Sequence, residues 1–227
     1  MDPLYFLVLL AAICCMIASF RVRSVYNKYA KCISLSGMTG ATAARAILEK
    51  NGIYDVTISM VHGTLTDHYD PRNKVVALSE TTYGSGSVAA IGVAAHECGH
   101  VCQHHYGYSP LNIRSALLPV ANIGSRFGVY LVLIGLLLNT LPISGLIMDI
   151  GIILYSAAVF FQIVTLPIEF DASRRALVML DEYGILSAEE LPYSKKVLSA
   201  AALTYVASAA ASLLQLIRLL ALRGNRR

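Results

Sequence analysis

Charged residues are nearly absent from three long runs of this chain, and that absence constrains its fold more than any motif does. Pro3 to Phe20 carries no charge, enough for one bilayer crossing at about 20 residues per span. Phe127 to Ile168 carries a single charge, Asp149. At about 1.5 Å per residue that run makes ~63 Å of helix, close to two ~30 Å crossings. Asn139, Thr140, Pro142, Ser144 and Gly145 place a turn near its middle. Val197 to Ile217 is a further uncharged run, rich in Ala and Ser. With 56% hydrophobic residues and a mean hydropathy of +0.60, the chain does not read as a soluble globule. It reads as an integral membrane protein with three to four transmembrane helices.

The first run has no basic residue ahead of it and no small-x-small cleavage site before Arg21, so it reads as an anchor and not as a signal peptide. Arg21, Arg23, Lys28 and Lys31 follow it. By the positive-inside rule the N-terminus is then outside and residue 21 onward is cytoplasmic. The turn at 139–145 has no Lys or Arg, whereas 167–199 carries Arg174, Arg175, Lys195 and Lys196. If 197–217 spans, Arg218, Arg223, Arg226 and Arg227 lie outside, against the rule; otherwise that helix lies in the interface or packs on the domain. The net charge of +4 is spread over membrane-flanking positions. It suits anionic lipid headgroups and leaves no nucleic-acid module. Cys14, Cys15, Cys32, Cys98 and Cys102 form no paired framework, as expected of reduced thiols.

Residues 37–106 form the largest polar region. Thr42 to Lys50 reads as a short helix stopped by Asn51-Gly52. Tyr54 to Met60 alternates apolar and polar residues as a strand does, Asp70 to Asn73 is a turn, and Lys74 to Ser79 is a second strand. Asp67-His68-Tyr69-Asp70 reads as a polar turn in preference to a second metal site. Ser87 to Gly107 runs without proline as a helix. Helix, strands and then a further helix is an α+β order.

That last helix carries His96-Glu97-Cys98-Gly99-His100. Residues four apart share a helix face, so His96 and His100 can offer two imidazole nitrogens to one Zn²⁺. Glu97 is placed to take a proton from a water activated there. This is the H-E-x-x-H arrangement of zinc peptidases, one ion per chain. A strand just before such a helix has a use, because its free edge can pair with an extended peptide. Val75, Val76, Ala77 and Leu78 are the candidates for that substrate-binding edge.

Two histidines do not complete a catalytic zinc site, which takes three protein ligands and one open position. The metzincin pattern fails, since Gln103 stands at its Gly position and Tyr106 at its final His position. His104, eight residues after His96, has drifted about 80° round the helix. The other solution is a Glu from a later helix. Glu169 ends the long apolar run, and two crossings between 127 and 168 return the chain to the side it left. Alone, Glu169 would read as an interfacial acid; beside H-E-x-x-H it reads as the third ligand. Met179 to Gly184 superficially offers Asp181 as the ligand of an intramembrane site-2-type protease, but the motif helix is too polar to span. A non-catalytic membrane scaffold with structural zinc is the remaining alternative, and it has no need of Glu97.

HECGH paired with EFDASRRA across a membrane hairpin resembles the gluzincin membrane proteases of the HtpX and CAAX-prenyl-protease type. LTDHYDP (65–71), AAHECGHV (94–101), TLPIEFDASRRAL (165–177) and AALTYVA (201–207) are similar to the YugP-type membrane zinc metallopeptidase family, over essentially the whole chain. The resemblance implies zinc, a zincin-like peptidase domain and a membrane location. One departure matters: where E-F-x-A-D has an Asp that orients a zinc-bound His, this chain has Ser173, with an acid at Asp171 instead. The orienting role is open between those two.

The expected protein is therefore an α+β, mainly helical membrane protein. A transmembrane helix occupies residues 1–20 and a zincin-like region with a small sheet 21–115. A membrane hairpin follows at 116–168, then the third-ligand helix and a cytoplasmic segment at 169–196, and an apolar helix with a basic tail at 197–227. The expected activity is hydrolysis of peptide bonds in membrane or membrane-associated polypeptides at the cytoplasmic side of the cell membrane.

Overall fold

The computed structural model describes residues 3–224. Its element order is α1 (Pro3–Tyr29), α2 (Gly40–Lys50), β1 (Thr57–Val61), β2 (His68–Asp70), β3 (Val75–Ser79), α3 (Glu80–Tyr83), α4 (Val88–His105), α5 (Ser109–Leu137), α6 (Ser144–Glu182) and α7 (Leu191–Gly224). The protein is α+β and mainly helical. Four helices, α1, α5, α6 and α7, are long and apolar enough to cross a membrane. The apolar run at 197–217 thus lies inside a candidate span. α1 continues past Phe20 through its basic residues, and α6 passes without a break through Glu169. All five cysteines are free.

The chain divides into two compact units. One combines the stretch up to Ala18, Ser109–Pro167 and the stretch from Thr204. Its centre is the α5–α6 hairpin, which packs through glycines. A Cβ at Gly124 would collide with the Leu154 carbonyl, and one at Gly128 would lie 2.8 Å from Tyr155 Cβ. Such small-residue stripes let helix backbones approach closely where lipid supplies no hydrophobic drive. Asp149, the one charge of the hairpin run, accepts hydrogen bonds from Arg223 Nε (2.7 Å) and an Arg223 terminal nitrogen (3.0 Å). That fork joins the end of α7 to the start of α6, so α7 runs antiparallel along α6.

The other unit, Ser19–Tyr108 with Ile168–Leu203, has its own core. Ala43 and Ile47 of α2, Val76 and Leu78 of β3, and Ile91, Ala95, Cys98 and Val101 of α4 are buried together with Ala176 and Leu180 of α6. α2 begins at a reciprocal capping box between Thr39 and Thr42, and α4 begins where Ser87 Oγ accepts the Ala90 amide. The sheet has the order β1-β3-β2, with β1 parallel and β2 antiparallel to β3.

This order corrects the expectation for Val75, Val76, Ala77 and Leu78. They lie in the central strand, where Val75 to Ala77 pair with β2 on one side and Val75 to Leu78 with β1 on the other. With both sides paired, that backbone is not a free edge, and three of the four side chains are buried core. The second strand partner, β2, takes up His68–Asp70 of the Asp67–Asp70 stretch expected to be a turn.

Candidate metal centre

α4 puts His96 and His100 one turn apart, their rings 4.8 Å between centroids and nearly perpendicular. α6 brings Glu169 onto the same point: its Oε2 lies 3.3 Å from His96 Nε2 and 3.6 Å from His100 Nε2. The approach depends on Gly99, which faces the backbone of Ala172. A Cβ there would sit 2.5 Å from the Ala172 carbonyl oxygen. Glu97 is buried on the same helix, 7% exposed.

The far nitrogen of each ring is held. His96 Nδ1 lies 3.1 Å from Ser173 Oγ, and His100 Nδ1 lies 2.9 Å from Gln103 Oε1. Both Nε2 atoms face the Glu169 carboxylate, and in the tautomer with the hydrogen on Nδ1 they carry the lone pairs a metal ion needs. Burial pulls the His100 pKa down, but the Glu169 carboxylate beside it and the Glu97 charge more than offset this, so the net shift is upward. Of the two residues that the sequence left open, Ser173 is the one whose side chain lies against a histidine of the cluster. Asp171 sits one step further out: it accepts from Gln103 Nε2 (3.0 Å), Arg174 (2.6 Å) and Arg175 (2.5 Å).

Gln103 is the residue sequence reasoning missed, although its place three positions after His100 on one helix face was a usable signal. His104 instead bonds the Tyr69 hydroxyl at 2.9 Å, and His105 packs its ring against Tyr106. Burial pushes the Cys102 thiol up to about 11 and the Cys98 thiol well above its ordinary value, which fits packing and not ligation. Among the described residues, His96, His100 and Glu169 form the group able to hold a metal ion, and Asp181 is not part of it.

These residues fit zinc. Glu169 is 3% exposed, and its Oε2 is buried with no hydrogen-bond partner. A native protein rarely leaves such an atom unsatisfied unless something else occupies its lone pair. A tetrahedral shell with bonds of roughly 2.0–2.1 Å separates neighbouring donors by about 3.3 Å, close to the two distances seen here.

The sequence model of a family described as "Putative neutral zinc metallopeptidase" matches residues 4–224. The chain belongs to this family. It is also 51% identical over 201 residues to the "Putative membrane protease YugP" of Bacillus subtilis (strain 168), covering 88% of each chain. No solved structure matches. The family match spans His96, Glu97, His100 and Glu169 together with all four candidate membrane helices.

Proposed function

We propose that this protein is a membrane-anchored zinc endopeptidase of the gluzincin type. His96, His100 and Glu169 hold one ion per chain, and Glu97 is the catalytic acid–base. The supporting observation is the buried, unpartnered Glu169 oxygen facing two imidazole Nε2 atoms. A zinc ion held there supplies Lewis acidity toward a water and toward the scissile carbonyl. Glu97 takes the proton released as water adds to the carbonyl carbon. It then delivers that proton to the amide nitrogen as the C–N bond breaks. Gln103 offers an oxygen acceptor to His100 Nδ1 and Ser173 a hydroxyl to His96 Nδ1, and with Nε2 of each ring on the metal neither histidine competes with Glu97 as the base.

The substrate is a polypeptide, membrane-associated because four apolar helices anchor the enzyme beside the bilayer. An extended peptide can add only to an outer strand of the sheet, and β2 is the outer strand packed on α4, through Tyr69 and His104. Arg21, Arg23 and Lys28 lie toward the C-terminal end of α1, and Lys195 and Lys196 near the start of α7, on segments of the unit that holds the site, which favours the cytoplasmic side.

The test is a pair of variants in detergent-solubilised protein. Glu97→Gln retains one zinc per chain and loses peptide hydrolysis by a factor of about 10² or more, whereas His100→Ala loses the metal. Full activity in Glu97→Gln ends this proposal.

A further inference from the structure

We infer that Gln103 is the positioning residue that fixes which nitrogen of His100 faces the metal. This rests on the zinc reading above and extends it to a residue outside the H-E-x-x-H pattern. Gln103 is fully buried, 0% exposed, at the contact between α4 and α6. A buried primary amide is costly unless its hydrogen-bonding capacity is used. Here Nε2 donates to the Ile168 carbonyl at 2.7 Å and to Asp171 Oδ2 at 3.0 Å.

Both partners are acceptors only. Ile168 offers a carbonyl, and Asp171 is kept ionised by the guanidinium groups of Arg174 and Arg175. The amide therefore cannot be flipped, because its oxygen would then face two oxygens. With the nitrogen end fixed, Oε1 is the atom at His100 Nδ1, 2.9 Å away. An amide oxygen cannot donate, so His100 Nδ1 must carry the hydrogen, and in the neutral ring Nε2 is then the nitrogen with the lone pair. Polarity thus runs in one direction from Arg174 and Arg175 through Asp171 and Gln103 to His100.

His96 has no equivalent constraint. Its partner, Ser173 Oγ, can donate or accept and so tolerates either tautomer. Gln103 also reaches the carbonyl of the residue just before Glu169. One side chain therefore orients the second ligand and holds the turn that carries the third. Of the two neutral tautomers, Gln103 selects the one whose Nε2 lone pair can bind a divalent cation.

Gln103→Met removes the amide at nearly constant volume. Zinc affinity is measured by competition with a chromophoric chelator, alongside the absorption spectrum of the cobalt-substituted protein and thermal unfolding without metal. The expected result is a zinc affinity about 10–100-fold weaker and an altered cobalt spectrum. Asp171→Asn, which removes the charge that pins the amide, should give a smaller loss in the same direction, and it decides the matter if Gln103→Met does not fold. Wild-type zinc affinity and an unchanged cobalt spectrum in both variants would overturn the Gln103 assignment while leaving the zinc site standing. A wild-type protein that binds no zinc would overturn the peptidase reading itself.

Discussion

Gly99→Ala adds one methyl group between the two helices that build the metal centre. Two opposing effects decide its outcome. In an α-helix interior, replacing Gly with Ala ordinarily stabilises by about 0.8–1 kcal/mol. Against that, the new Cβ would lie 2.5 Å from the Ala172 carbonyl oxygen and 3.1 Å from its carbon and Cα. Ordinary contact begins near 3.4 Å, so the helices must part by about 0.9 Å. The obstacle is backbone and has no rotamer to change, and overpacking of this kind costs about 1–3 kcal/mol. The clash wins.

The larger effect falls on the metal. Ala172 is three residues after Glu169 on the same helix, so the displacement reaches the carboxylate almost undiminished. Metal sites hold their bond lengths to about ±0.2 Å. A shift several times that tolerance should weaken zinc binding by about 10²-fold, which is about 2.7 kcal/mol. The assay is chelator competition on purified protein, with thermal unfolding of the metal-free form beside it. Gly84→Ala is the control, since nothing lies within 4 Å of a Cβ there. A Gly99→Ala protein at least as stable as wild type, with unchanged zinc affinity, would refute the backbone-contact argument.

Ser173→Ala removes the hydroxyl beside His96 Nδ1 and should weaken zinc binding about tenfold, while the metal-free protein keeps its melting temperature to within a few degrees. Equal affinity would remove Ser173 from the site. The pH dependence follows from His100, whose pKa in the metal-free protein is raised. A raised value means that the proton on His100 stabilises the metal-free fold below the unfolded pKa. That contribution is lost as pH rises through the folded value. Zinc needs the neutral ring, so its apparent affinity should climb with pH and keep climbing above about 6.5, the ordinary histidine value. A titration that levels off below that point would contradict the arrangement.

How much of this was legible in the sequence depended on how local each interaction is. The H-E-x-x-H face follows from helical spacing alone, whereas the tight approach at Gly99 depends on where α6 passes. The edge-strand assignment failed because strand order is not local. Whether Val75 to Leu78 lie at the edge or the centre depends on where β2 goes, and β2 is three residues long in a polar stretch ending at Pro71. Its strand state comes from pairing with β3, not from propensity. Asp171 and Ser173 could not be ranked until α6 was seen to run on through Glu169. In a continuous helix Ser173 is one turn from Glu169 on the same face, whereas Asp171 is about 200° away. Gln103 was read only as a failure of another pattern, because its meaning depends on a carbonyl sixty-five residues later.

The site's assembly then depends on a single stretch of α6. Ile168 offers a carbonyl to Gln103, and Glu169 offers the third ligand. Asp171 anchors the amide that orients His100, Ala172 meets Gly99, and Ser173 meets His96. Five of six consecutive positions thus complete what α4 begins, and they start immediately after Pro167, where the chain passes from one compact unit to the other. Metal chemistry requires the ligand, its orienting groups and the backbone contact to move together. Carrying them all on one rigid stretch of helix meets that requirement, because helix register couples Glu169 to Ser173 and Ala172 without further contacts. A substitution at Asp171, Ala172 or Ser173 should therefore be felt at the metal, even where the side chain itself never touches it.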